Sequence, residues 1–451
     1  MTPAFRIERD TMGEMRVPAD MLYGAQTARA VDNFPISRLR FPRSFIRALG
    51  LIKSAAAKVN RELGHLPAEK AAAIERAADE VVAGAHDAQF VVDIFQTGSG
   101  TSTNMNANEV IGRLAQAHPN DDVNRGQSSN DVIPSALHIA AAESVHRELF
   151  PAIDRLHASL ARKAREFADV IKIGRTHLQD AVPMRLGQEF SGYARQVAAS
   201  RERIESALAG IYELALGGTA IGTGLNSPAG FAPAVIQEIA RRTELPFVEA
   251  RNHFEAQAAK DAVVFLSGAL RAYAVALVKI SNDIRWLGSG PRCGLGELRI
   301  PAVQPGSSIM PGKVNPVIAE SLLMVCAQVM GYDATIAWSG AQGNFELNVM
   351  MPVMAYDLLE SISLLAAGSR NFAERLVDGL EADRERAGAF VEQSLAMGTA
   401  LAPEIGYEKA AALVKEAYKT GKTVREVALE KSGIPEARLR ELLDPARQSG
   451  E

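Results

Sequence analysis

From Val145 onward the apolar residues recur at Val145, Leu149, Ile153, Leu156, Leu160, Ala164 and Phe167, in steps of four and three that put all of them on one stripe of a helix. Three more stretches repeat the pattern: Leu186, Phe190, Tyr193, Val197, Ile204, Leu208 and Ile211; Val263, Leu266, Leu270, Tyr273, Leu277, Ile280 and Ile284; and Ile318, Leu322, Val325, Val329, Tyr332 and Ile336. Such seams call for a bundle of long helices, each about 40–50 Å at about 1.5 Å per residue. The stretch 252–287 is also rich in alanine on its other faces, which a water-exposed helix would not need, so it is expected inside the bundle. A single chain can hardly cover this much apolar helix. A homo-oligomer is therefore expected, with a monomeric bundle built on Ala-rich cores as the alternative.

The fold class that follows is mainly all-α, in three regions. Residues 1–127 form an N-terminal mixed, mostly helical domain with a helix over 67–84; 128–351 form the central long-helix bundle; 352–451 form a small C-terminal helical domain. Pro151 is expected to kink its helix.

Composition narrows the function. The 49 basic and 53 acidic residues leave a net charge of -4 with no dense basic run, which disfavours nucleic acid or an anionic membrane as partner and favours a small molecule. Cys293 and Cys326 form neither a disulfide framework nor a Cys/His metal spacing, pointing to a reducing, cytoplasmic setting. The N-terminus carries charges where a signal peptide needs an apolar run, and the most apolar helix candidate, 262–280, still contains Ser267, Arg271 and Lys279.

Four polar segments interrupt the helical background, and each reads as a loop. Gln96-Thr97-Gly98-Ser99-Gly100-Thr101-Ser102-Thr103-Asn104 can turn backbone N–H groups and hydroxyls toward an anion, although it lacks the lysine of a P-loop. The run GGTAIGTG at 217–224 resembles a dinucleotide loop only superficially, because no βαβ unit surrounds it. His118-Pro119-Asn120-Asp121 and Gln127-Ser128-Ser129-Asn130-Asp131 precede a helix start. Capping explains one residue there, and the rest suit carboxylate recognition at a positive helix end. Gly174-Arg175-Thr176-His177-Leu178-Gln179-Asp180 offers a histidine for proton transfer. The fourth segment, Gly306-Ser307-Ser308-Ile309-Met310-Pro311-Gly312-Lys313-Val314-Asn315-Pro316, sets two hydroxyls, an ammonium and a carboxamide on a stretch too rich in Gly and Pro for regular structure, followed by Glu320 at a helix start. It reads as a mobile catalytic loop. Acid–base chemistry on a carboxylate is the natural inference, from segments that must converge through the bundle.

These motifs carry a resemblance. GSSIMPGKVNP matches the signature of the fumarase/aspartase superfamily, and TGSGTS, HPNDDVN, QSSND, GRTHLQD, SGPRCGLGE and GNFELNV extend the likeness over nearly the whole chain. TGSGTS, QSSND and SGPRCG resemble the class II, metal-independent fumarate hydratases, whereas KVNPVIAE and AVPMRLGQEF lean toward aspartate ammonia-lyases, the alternative activity. The resemblance implies fumarate and L-malate as substrates, no cofactor and no metal. It also implies a homotetramer with active sites shared between subunits. Carried over by motif, Ser307 would be the base, His177 a proton-handling residue and Glu320 its partner acid. Ser99, Gly100, Thr101, Ser128, Ser129, Asn130, Thr176, Ser308, Lys313, Val314 and Asn315 would bind substrate, and His118, Pro119, Asn120 and Asp121 would form a second carboxylate site. The segment Ile111–Ala117 is shorter than in the members it resembles, which bears on that second site.

Overall fold

A computed structural model describes residues 4–450. It opens with an antiparallel hairpin, β1 (Phe5–Asp10) and β2 (Gly13–Pro18), followed by α1 (Ala25–Asn33), α2 (Arg43–Glu62), α3 (Ala68–Ala83) and α4 (Thr101–Ala115). Next come α5 (Ser129–Ser144) and α6 (Phe150–Glu166), then a second hairpin, β3 (Ile171–Thr176) and β4 (Gln179–Arg185), leading directly into α7 (Leu186–Ile211). Helices α8 (Phe231–Thr243), α9 (His253–Ala258), α10 (Asp261–Leu287), α11 (Val317–Gly340) and α12 (Met351–Arg375) follow, and short helices between Arg384 and Gln448 end the chain.

The all-α expectation holds, and the apolar seams are where the helices bury their side chains. On α10, Val263, Leu266, Leu270, Tyr273, Leu277, Ile280 and Ile284 are fully buried. The expected helix over 67–84 is α3: Pro67 precedes its first turn, and Gly84, at φ 90°, supplies the left-handed C-cap. The seam from Val145 is continuous, but a π-helical turn, Val145–Leu149, joins α5 to α6. Pro151 has no N–H to give the Arg147 carbonyl, so the wider turn just ahead of it absorbs the missing bond. The two hairpins did not show in the periodicity, since six- or seven-residue strands offer too few alternations to outweigh the helical signal around them.

Contacts divide the chain into two compact units. The first comprises Met1–Pro151, Ser200–Ala274 and Ala327–Ala366, and the second Ala152–Ala199, Val275–Cys326 and Ala367–Glu451. In the first, α2 packs on α3, α5 and α8 through Phe45, Leu49, Ile52, Ala56 and Val59. In the second, Ile173 of β3 joins Val391, Met397, Leu401, Leu413, Val427 and Leu439 in one apolar cluster, which seats the second hairpin on the C-terminal helices.

Not all apolar helix surface is covered. The most apolar window of α10 has a mean hydropathy of 1.8 and is 56% buried, whereas that of α11 has 1.3 and is only 28% buried. Met324 and Trp338 of α11 stand 69% and 62% exposed.

Within the first unit, Met351 N–H donates to the Gly98 carbonyl, and a Cβ on Gly98 would lie 1.7 Å from the Val349 carbonyl oxygen. Backbone on both sides leaves no room to yield. Gly98→Ala should therefore lower the thermal midpoint by roughly 2–6 °C, as overpacking of about 1–3 kcal/mol would. Differential scanning fluorimetry checks this, and an unchanged midpoint would contradict the contact.

Candidate active site

In the first unit two helices begin side by side around a chain of hydroxyls. α4 starts after Gly100, at φ 74°; Gln96 Oε1 accepts the Thr103 N–H at 3.0 Å, and Gly100 itself offers no side chain to cap the N–H groups of Thr101 and Ser102. A Cβ on Gly100 would meet Ile133 at 2.8 Å. α5 starts after Ser128, in a reciprocal capping box: Ser128 Oγ accepts the Asn130 N–H at 3.2 Å, and Asp131 Oδ1 accepts the Ser128 N–H at 2.9 Å. Between the two starts, Ser99 Oγ lies 2.8 Å from Thr101 Oγ1, which lies 2.6 Å from Ser129 Oγ. Hydroxyls at two positive helix ends form a cradle suited to a carboxylate. Thus Ser99, Gly100, Thr101, Ser128, Ser129 and Asn130 are brought together around the two helix starts.

Asp131, fully buried, also accepts N–H groups from Gly217 and Thr219 at 2.9 and 3.0 Å through Oδ2, and Asn130 Nδ2 donates to the Ala220 carbonyl at 2.8 Å. The glycine-rich run 217–224 is thereby a wall of the cradle. Burial pushes the Asp131 carboxyl up, while its three N–H donors and the Lys53 ammonium oppose that shift.

In the second unit, Thr176 and His177 sit on a hairpin rather than on a plain loop. Thr176 pairs with Gln179, so His177 and Leu178 form a two-residue turn with φ of 57° and 59°. That is the conformation glycine or asparagine usually supplies, so the tip is held against its own preference. The anchor lies beneath it. Glu297, fully buried, accepts both ends of the Arg175 guanidinium at 2.8 and 3.1 Å, and Lys172 lies 4.0 Å away. Opposite Gly174 the pairing is irregular, and a Cβ there would meet the Val182 carbonyl at 2.8 Å.

The same unit holds the loop 306–316. Its ends are tied: Gly306 N–H donates to the Lys313 carbonyl at 2.8 Å, and Asn315 Nδ2 donates to the Gly306 carbonyl at 2.5 Å. Ser307 Oγ accepts N–H groups from Met310 at 3.0 Å and Ile309 at 3.3 Å. Two N–H dipoles aimed at one hydroxyl oxygen favour negative charge on it. Ser308, Lys313 and Val314 are exposed. Lys313, Val314 and Asn315 line a cleft of about 870 Å³ together with Glu320, in the first turn of α11, and Arg285 and Arg386. Among the described residues no hydrogen bond joins Glu320 to His177.

His118, Pro119, Asn120 and Asp121 stay together as well. His118 Nδ1 accepts the Asp121 N–H at 3.1 Å and so caps the π-helical turn Pro119–Val123. A cleft of about 560 Å³ beside it is lined also by Glu8, Asp10 and Glu109. Arg113 at its edge is paired with Glu8 at 2.9 Å.

Sequence reasoning assigned no individual role to Asp131, Glu297 or Lys53, although Asp131 closes the QSSND segment and Glu297 the SGPRCGLGE motif. Asp131 stood three residues after a serine cap, which is a readable signal. Lys53 stood out as a lone charge in the apolar run Leu51-Ile52-Lys53-Ser54-Ala55-Ala56-Ala57. Glu297 lay among glycines with nothing local to mark its distant partners.

Removing Glu297 strands a guanidinium that is only 16% exposed. Glu297→Ala should cost roughly 3–5 kcal/mol and open the hairpin to native-state cleavage by trypsin after Arg175, mapped by mass spectrometry. An uncut hairpin would rule out the anchor.

With this geometry in place, the relatives are informative. Residues 13–331 match a family model described as lyase, and residues 398–447 match one described as fumarase C C-terminus. A protein from Thermosynechococcus vestitus named fumarate hydratase class II is 54% identical over 95% of each chain, and one of the same name from Corynebacterium glutamicum is 56% identical over 94% of this chain and 91% of its own. The crystal structure of a class II fumarase from Schistosoma mansoni superposes with a TM-score of 0.97 at 41% identity, covering 99% of both chains. Helical architecture, polar segments and likeness over nearly the full length place this chain in the class II fumarate hydratase family of lyases.

Proposed function

We propose that the chain catalyses the reversible hydration of fumarate to L-malate by proton transfer, with Ser307 as the base. The observation that carries this reading is the pair of N–H groups, from Ile309 and Met310, that meet Ser307 Oγ. A serine hydroxyl is a poor base unless its alkoxide is stabilised, and these two donors supply that stabilisation. In the dehydration direction Ser307 takes the C3 proton of malate, and the electron pair moves into the adjacent carboxylate as an aci-carboxylate dianion. Lys313 and Asn315 stand on the same loop to receive that charge, each well-placed donor contributing about 2.7–4 kcal/mol. The dianion then collapses to fumarate as the C2 hydroxyl leaves, protonated by a general acid, the role assigned to His177 with Glu320 as its partner. Ser99, Gly100, Thr101, Ser128, Ser129, Asn130, Thr176, Ser308 and Val314 hold the dicarboxylate. His118, Pro119, Asn120 and Asp121 form a second carboxylate site. Hydration is favoured over deamination of aspartate because relatives 54% and 56% identical carry the hydratase name.

The working form in this reading is a homotetramer in the cytoplasm, with active sites completed by residues of neighbouring copies and the regions 1–127, 128–351 and 352–451 as its domains. The scant cover of α11, 28% over its most apolar window, supports a bundle completed by further copies. The exposure of His177 at a hairpin tip supports a histidine that meets its partner acid on another chain.

Fumarate absorbance should rise on adding L-malate and stay flat on adding L-aspartate; the reverse pattern would sink the assignment. Ser307→Ala should cut kcat by about 10²–10⁴, the range for a lost general base, while light scattering still reports a tetramer. Near-normal turnover would remove Ser307 from the mechanism. Co-refolding Ser307→Ala with His177→Asn chains should restore part of the activity, and verified mixed tetramers without recovery would refute shared sites.

A further inference from the structure

Lys53 is fully buried in α2, in a seam where alanine and leucine would pack at no electrostatic cost. Taking an ammonium out of water costs several kcal/mol even after the protein relaxes around it. Burial pushes the Lys53 amine down to about 7, against the pull of the Asp131 carboxylate. Nothing in the catalytic steps above uses this group, and the cradle needs no lysine for packing.

Its bonds show what it organises. Two of its N–H groups go to Asn124 Oδ1 and Gln127 Oε1, both at 2.9 Å. Asn124 Oδ1 accepts at the same time from Asn104 Nδ2 and Asn108 Nδ2, each at 3.2 Å, so the first turns of α4 are tied to the same oxygen. Asn124 Nδ2 donates to the Gln127 carbonyl at 3.1 Å and Gln127 N–H returns to the Asn124 carbonyl at 3.1 Å, which closes a turn. The next residue is Ser128, the cap of α5. One side chain therefore ties together the segments that carry both helix starts of the hydroxyl cradle, and its charge acts on Asp131 in the first turn of α5.

We infer that Lys53 is a positioning residue for dicarboxylate binding, fixing the Asn124–Gln127 turn and hence the Ser99–Thr101–Ser129 cradle while adding a buried positive charge beneath it. The inference rests on the reading of that cradle as the substrate clamp.

A purely structural lysine would, when removed, lower stability and leave substrate affinity alone. A positioning lysine separates KM from kcat, because its contribution is the same for bound substrate and transition state. Lys53→Met should raise KM for fumarate about tenfold and leave kcat within about twofold, measured on tetramers isolated by size exclusion. Asn124→Asp gives a second reading should the Met variant fail to fold: its carboxylate still accepts the three donors but neutralises the ammonium and loses the bond to the Gln127 carbonyl that closes the turn, so KM should rise in the same direction. KM within twofold of the parent in either folded variant overturns the role of Lys53. Ser129→Ala, run alongside, separates the two layers. Raised KM there with unchanged KM in the Lys53 and Asn124 variants defeats this inference alone, whereas unchanged KM in Ser129→Ala defeats the clamp and this inference with it.

Discussion

The long helices carry more apolar surface than one chain can bury, and much else follows from that imbalance. Along α10 the seam is fully covered, yet only 28% of the most apolar window of α11 is buried. Water-facing Met324 and Trp338 cost hydrophobic free energy that only another surface can recover, at roughly 25 cal/mol for each Å² removed from water. A chain built this way is under pressure to assemble. Rigid helices then let distant loops act together, because a side chain at a helix end is held by a long packed rod rather than by its own short segment.

Three of the four polar segments are in turn held by a buried charge. Asp131 joins the cap of α5 to the Gly217–Thr219 turn through three backbone N–H groups, Glu297 grips Arg175 beneath the His177 hairpin, and Lys53 stands behind the cradle. Such groups are costly in a core unless satisfied, and here satisfaction takes the form of bonds to backbone that must not move. The strained tip at His177 and Leu178 shows the result: two non-glycine residues at positive φ, with an ion pair anchoring the strand two residues before them.

The loop 306–316 differs from the others in being self-contained. Its ends close on each other through Gly306, Lys313 and Asn315, and Ser307 Oγ draws its two N–H donors from the residues that follow it. A hydroxyl whose N–H donors are local keeps them wherever the loop is placed, so this motif is legible in one short stretch of sequence, whereas the partners of the other segments lie far along the chain.

The sequence by itself determined the helical class, the seams from Val145 to Ile336, the helix starts at Ser128 and near Glu320, and the irregular, polar character of the Ser307 loop, because all of these depend on neighbours within a few residues. Only the tertiary structure decided the rest. It turned GRTHLQD into a strained hairpin and made the 217–224 glycines a wall of the cradle. It paired Lys53 with Asn124 and Gln127 across 71 and 74 residues, and Arg175 with Glu297 across 122. The reason is physical: a buried charge is stabilised by partners brought close by packing, and no local pattern records which distant residue the fold will deliver.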